Sequence, residues 1–193
     1  MERNIVSKEG EVLIPDPPFV TALFSSVRFA WLWLILRLYL AYTWISAGWG
    51  KINNPVWMEG TAIRGFWMNA VEIPAEGTPA ITFGWYRNFL QFMIDNNWNT
   101  WFGPTVAYVE LIVGILLLLG AFTAIAAFIG AFLNLNFMLA GSASTNPVLF
   151  TFSILLILAW KVAGWYGLDR WLLPRLGTPW YRTTEIEERQ RAS

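Results

Sequence analysis

Residues 106–120 read "VAYVELIVGILLLLG", the pattern of a membrane-spanning helix interrupted by one carboxylate, Glu110. A charge at the centre of a bilayer costs about 2.5 to 3.5 kcal/mol on insertion scales, so it persists where it faces protein or a cavity. At helical spacing around it stand Gly103, Ala107 and Gly114, small residues that let a neighbouring helix approach on that face. The stretch therefore predicts an inward carboxylate and a close helix partner.

The whole chain has the same bias. Of its residues 56% are hydrophobic, 17% aromatic and 13% charged, which is the composition of an integral membrane protein. Thirteen basic residues balance thirteen acidic ones, so nothing points to nucleic acid. There is no cysteine and no histidine. Disulfides, thiolate chemistry, iron-sulfur clusters, histidine-ligated haem and the usual zinc sites are thereby not expected on this chain. Electron chemistry would need an organic cofactor, a substrate or a partner subunit.

Four apolar segments are expected to span the membrane, giving an all-α, four-helix transmembrane bundle: residues 29–50, 104–119, 124–140 and 147–167. Residues 1–28 are mixed polar and lack the apolar core of a secretory signal. The second span opens on Pro104, which fits a first-turn position, and Thr123 can cap the third after a three-residue connection. Between the first two spans, residues 52–103 carry four acids, two arginines, three prolines and five tryptophans, as an aromatic-rich extramembrane cap would. Within it "WYRNFLQFMIDN" sets Phe89, Phe92 and Met93 at helical spacing, which fits either an interfacial amphipathic helix or a lid on the bundle. An uncharged turn, "GSASTNP", joins the third and fourth spans, and residues 175–193 form a charged tail.

Four spans put both termini on one side. The terminal segments hold Arg3, Lys8, Arg28, Arg170, Arg175, Arg182, Arg189 and Arg191, against Lys51, Arg64 and Arg87 opposite, so both termini are expected in the cytoplasm of a prokaryotic cell.

Arg37, Glu110 and Lys161 are the ionisable residues within the expected spans, and Asp169 follows the fourth. At 1.5 Å per residue in a core of about 30 Å, Arg37 lies roughly 18 Å from the outer edge, Glu110 roughly 9 Å, Asn134 roughly 14 Å and Lys161 roughly 21 Å. Each helix thus contributes one polar group to a middle band. Either Arg37 and Glu110 form a structural ion pair, or the band, with its surplus positive charge, receives an anionic or carbonyl-bearing ligand. Trp33, Arg37, Leu40 and Trp44 share one face of the first helix, so Trp33 and Trp44 either stack on a flat ligand or meet lipid. Trp49, Trp57, Trp98, Trp101, Trp165 and Trp171 fall where aromatic belts are normal.

Arg37, "GWGK" ending at Lys51, "VELIVGILLLLG", "NLNFMLAG" and "GLDRWL", in this order and spacing over roughly residues 30–174, resemble the DoxX superfamily, and more closely its DoxD-like members. The resemblance implies a small four-helix membrane protein. It also implies the role of DoxD, the membrane subunit of a thiosulfate:quinone oxidoreductase that passes electrons to the quinone pool. Arg37, Lys51, Glu110 and Asp169 match the polar positions of the family pattern. The long segment between the first two helices exceeds the short connection of minimal DoxX proteins.

The leading expectation is a quinone-linked oxidoreductase subunit whose interior binds a quinone-like or sulfur-oxyanion ligand. Glu110 and Arg37 are its candidate catalytic residues, and Lys51, Asn134, Lys161, Asp169, Trp33 and Trp44 complete the binding set. A partner subunit or larger complex is expected, and a homo-oligomer is a further option. The alternatives are a non-catalytic scaffold and, less favoured by four spans without repeats, a small-solute transporter.

Overall fold

The computed structural model describes residues 6–8, 11–13 and 16–176. A two-stranded antiparallel hairpin, β1 (Val6–Lys8) with β2 (Glu11–Leu13), precedes a chain that is otherwise helical among the described residues. The helices are α1 (Pro18–Ser25), α2 (Ala30–Ile52), α3 (Pro55–Met58), α4 (Thr61–Val71), α5 (Gly84–Asp95), α6 (Asn99–Leu119), α7 (Thr123–Leu139), α8 (Asn146–Leu158) and α9 (Asp169–Arg175). Residues 177–193, which hold most of the charged tail, lie outside the described residues.

α2, α6, α7 and α8 make the bundle. α2 together with the turn before it, Val27–Ile52, and α6 are each long and apolar enough to cross a membrane, whereas α7 and α8 are apolar but shorter. α2 and α6 run antiparallel with their backbones almost touching. A Cβ at Gly48 would stand 2.5 Å from the Leu111 amide nitrogen, and one at Gly114 would stand 2.6 Å from that of Ile45. These glycines are what permits the approach, as small residues do where helices associate without a hydrophobic drive from water. Their contact lines up the inward stripe of α2, Trp33, Arg37, Leu40, Trp44 and Gly48, with that of α6, Gly103, Ala107, Glu110 and Gly114, all of them buried. Large apolar side chains such as Ile35, Ile112, Ile125 and Phe128 point outward and are exposed, the surface a lipid-facing bundle needs.

The cap has its own core of Ile63, Trp67, Ile81, Tyr86, Leu90 and Met93, closed against Val106 and Ala140 of the bundle. α5 buries Tyr86, Leu90, Met93 and Ile94 and leaves Phe89 and Phe92 outward, so the packed face is not the Phe89, Phe92 and Met93 stripe expected from spacing. The helix is a lid on one side and presents aromatics on the other.

Three helix ends also differ from expectation. α6 begins at Asn99, a turn before Pro104, which stands inside the helix. α8 stops at Leu158, and residues 159–166 continue as turns rather than as a span reaching residue 167. Tertiary contacts win over the apolar run here: Asp169 packs so tightly on Gly164 that a Cβ there would stand 2.1 Å from its Oδ2, and the Tyr166 carbonyl accepts from Arg37. The start of α7 is capped not by Thr123, whose hydroxyl makes no hydrogen bond among the described residues, but by Asp169.

Candidate functional site

At the cap end of the bundle the last turn of α2 brings Lys51 to α6, where its Nζ donates to Glu110 Oε2 at 2.5 Å. Glu110 is 1% exposed and Lys51 17%. The ammonium also lies 4.8 Å from the centroid of the Trp57 ring and 5.9 Å from that of Phe137, so aromatic faces share its charge. The carboxylate is sealed in the helix interface and the ammonium stands between it and the cap.

This pair floors a cavity of about 320 Å³. Trp44, Trp57, Phe66 and Phe137 give it flat apolar walls, and Ser142, Ser144, Thr145 and Asn146 of the α7–α8 turn give it a polar rim. Asn134 lines it too; it is buried, and its amide Nδ2 has no partner among the described residues. The same holds for the Trp44 indole nitrogen. A buried donor left unpaired costs roughly 1–3 kcal/mol, which a ligand accepting from it would recover. The cavity thus offers an ion pair, free donors and ring-shaped walls, a set suited to a planar molecule with oxygen at its edge.

The other end of the bundle holds a separate charged group. Arg37 donates through Nη2 to the Tyr166 carbonyl at 2.8 Å and is wedged between Gly120 and Gly167. Gly120 has φ +62°, and a Cβ on it would overlap Nη1, so both its backbone conformation and the guanidinium require glycine. Beside it Asp169 accepts from the backbone N–H of Phe122 at 2.5 Å and of Thr123 at 2.9 Å, while the Leu168 and Asp169 amides donate to the carbonyls of Leu119 and Gly120. A carboxylate at a helix N-terminus satisfies orphan donors and meets the positive end of the dipole. This cluster closes the α6–α7 turn onto the segment before α9.

The sequence matches the family model described as DoxX over residues 32–143, more than half of the chain. The chain belongs to the DoxX family. No curated protein and no solved structure matches it. The DoxX match runs from α2 to the α7–α8 turn, so it includes Arg37, Lys51, Glu110 and Asn134 and ends before Lys161 and Asp169. With its apolar helices it makes the chain a membrane protein.

In this DoxX protein the polar residues singled out from sequence divide between the two ends of the bundle instead of forming one middle band. Lys51, Glu110, Asn134 and Trp44 meet at the cap-end cavity. Arg37 and Asp169 meet at the far end, so of the two alternatives the Arg37–Glu110 ion pair does not form, and Glu110 pairs with Lys51 instead. Lys161 joins neither: half-buried in the turns after α8, it lies near its neighbour Trp160, 6.0 Å from the ring centroid. Trp33 is buried, but its indole N–H donates to the Leu23 carbonyl at 2.8 Å, tying α1 to α2 rather than facing a ligand. Five further contributors to the cavity, Trp57, Phe66, Phe137, Ser142 and Ser144, are not among the site residues expected from sequence. The signal for the serines was a turn with polar residues but no charge, at the same end of the bundle as Lys51.

Proposed function

We propose that this DoxX protein is the membrane subunit of a quinone-linked oxidoreductase, and that the cavity at Lys51, Glu110 and Asn134 receives the quinone ring. The observation that carries this reading is a sealed carboxylate, paired with an ammonium, in the same aromatic-walled cavity as an amide with no partner among the described residues. Because Lys51 and Glu110 neutralise each other, a neutral ring with carbonyl oxygens suits the site better than a sulfur oxyanion, which would meet the charge of Glu110. One carbonyl oxygen would accept from the Lys51 ammonium and the other from Asn134 Nδ2. The ring would lie against Trp57 and Phe137. When the quinone takes two electrons and two protons to become quinol, the Lys51 ammonium would give its proton to the oxygen bonded to it, the Glu110 carboxylate would draw a replacement from solvent at the polar rim, and a second round of the same relay would supply the other proton.

The electrons come from outside this chain, which has no thiol or histidine. By its likeness to DoxD the electron donor is thiosulfate, oxidised at a partner subunit. The chain would cross a prokaryotic cell membrane four times with both termini in the cytoplasm, placing the cap and the cavity mouth outside. The test is quinone reduction with thiosulfate as donor by membranes holding equal amounts of native protein, Glu110→Gln or Asn134→Leu. Loss of proton transfer lowers turnover by about a hundredfold in Glu110→Gln. Native turnover in both variants would end the proposal. A scaffold role draws on the same ion pair and predicts that Glu110→Gln lowers assembly of the complex with no effect on quinone binding.

A further inference from the structure

Next to the polar cavity lies a second one of about 160 Å³, enclosed by α4 and α5 of the cap and by α6 and α7. Its chemistry is the opposite. Leu90, Met93, Val106 and Leu133 are among its walls, and its two polar side chains engage each other, the Tyr86 hydroxyl donating to the carbonyl oxygen of Asn136 at 3.0 Å and lying 3.2 Å from its Oδ1. The groove therefore presents satisfied or apolar groups where the first cavity presents an ion pair and free donors. The two share the walls Phe66 and Phe137, whose rings meet edge to face with centroids 5.9 Å apart. Phe137 thus faces the Lys51 ammonium on one side and the groove on the other. Phe89 and Phe132, also in the groove wall, are exposed on the surface of α5 and α7, so the groove reaches the apolar exterior of the bundle.

We propose that the two cavities are the two halves of one site for an amphiphile, with the polar ring on Lys51 and Asn134 and its hydrocarbon chain passing the Phe66–Phe137 pair into the groove. The inference rests on the quinone reading and adds the place of the quinone's apolar side chain, the groove between the cap and α6–α7, with entry from the bilayer. The shared wall favours the chain of the same molecule over an unrelated lipid, because only the Phe66 and Phe137 rings separate the groove from the head site and the chain passes by turning them aside. A chain gains little hydrophobic free energy on leaving lipid, so the groove acts by direction, through close packing that fixes which way the ring enters.

The probe is a benzoquinone with a decyl chain ending in a photoreactive diazirine, bound to the full protein in lipid nanodiscs and mapped after illumination, with chainless benzoquinone as competitor. Labels are expected on Met93, Leu133 and Phe89. Competitor at about ten times its own Kd should cut that labelling about tenfold, because displacing the ring releases the chain. Leu133→Phe, a mild filling of the groove, should shift labels away from Met93 while the chainless quinone still quenches tryptophan fluorescence. Labelling spread evenly over lipid-facing Ile112 and Phe128, or groove labelling that the competitor leaves unchanged, would overturn the bipartite site while saturable binding of the chainless quinone keeps the head site. If the chainless quinone does not bind the native protein, the head site and this inference fall together.

Discussion

Removing Lys51 should harm this protein far more than removing Glu110, although they are the two ends of one ion pair. At 2.5 Å and an effective dielectric near 20 the two charges attract by roughly 7 kcal/mol, and desolvation offsets much of this at several kcal/mol per ion. What remains differs by partner. Lys51→Met leaves a carboxylate 1% exposed, with no other cation bonded to it among the described residues, and a stranded buried charge costs about 3–5 kcal/mol. Glu110→Gln leaves an ammonium that is 17% exposed, lies over Trp57 and borders an open cavity, and an amide that still accepts from it, for roughly 1 kcal/mol. The double variant Lys51→Met/Glu110→Gln, with no charge to strand, should recover most of the loss. Reversible denaturant unfolding in mixed micelles, followed by tryptophan fluorescence, gives the four stabilities of the cycle. Equal costs for the single variants, or a double variant no better than Lys51→Met, would refute the placement of Glu110 as the sealed partner.

Other expectations follow from the same structure. Gly48→Ala should destabilise by about 1–3 kcal/mol, since its Cβ meets Leu111 backbone, while Gly50→Ala, with nothing within 4 Å, should stabilise by up to about 1 kcal/mol; thermal unfolding compares them. Asp169→Asn keeps the size but weakens two charge-assisted bonds to the start of α7 and should cost about 2 kcal/mol by the same assay. Burial raises the Tyr86 pKa from 10.0 to about 12. The stability that its neutral hydroxyl contributes is therefore fully present below pH 10.0 and fades as pH rises toward about 12, a loss that unfolding measured across this range should show for native protein and not for Tyr86→Phe.

The inward faces were legible from residue spacing. Trp33, Arg37, Leu40 and Trp44 recur at helical spacing around a charge that lipid rejects, and Glu110 does so among small residues, so both stripes had one side on which they could be buried. Partner choice was not legible. Depth along a straight helix placed Glu110 and Arg37 roughly 9 Å apart, yet register follows from the close contact of Gly48 with Leu111 and Gly114 with Ile45, which aligns Lys51 with Glu110. Lys51 stands just past the expected span 29–50, and its long side chain reaches the carboxylate from there. Hydropathy likewise could not see that α8 ends at Leu158, because the residues that hold the following turns, Arg37 and Asp169, come from elsewhere in the chain. The cavity walls Phe66 and Phe137 come from α4 and α7, and nothing in either segment alone distinguishes them from core aromatics.

The quinone site is tested most directly by an experimental structure of the protein in nanodiscs with a decyl-chained benzoquinone present. The account predicts a flat ring between Trp57 and Asn134 with its oxygens at hydrogen-bond distance from Lys51 Nζ and Asn134 Nδ2. A quinone seated elsewhere on the bundle, with this cavity holding no ring at saturating ligand, would contradict it.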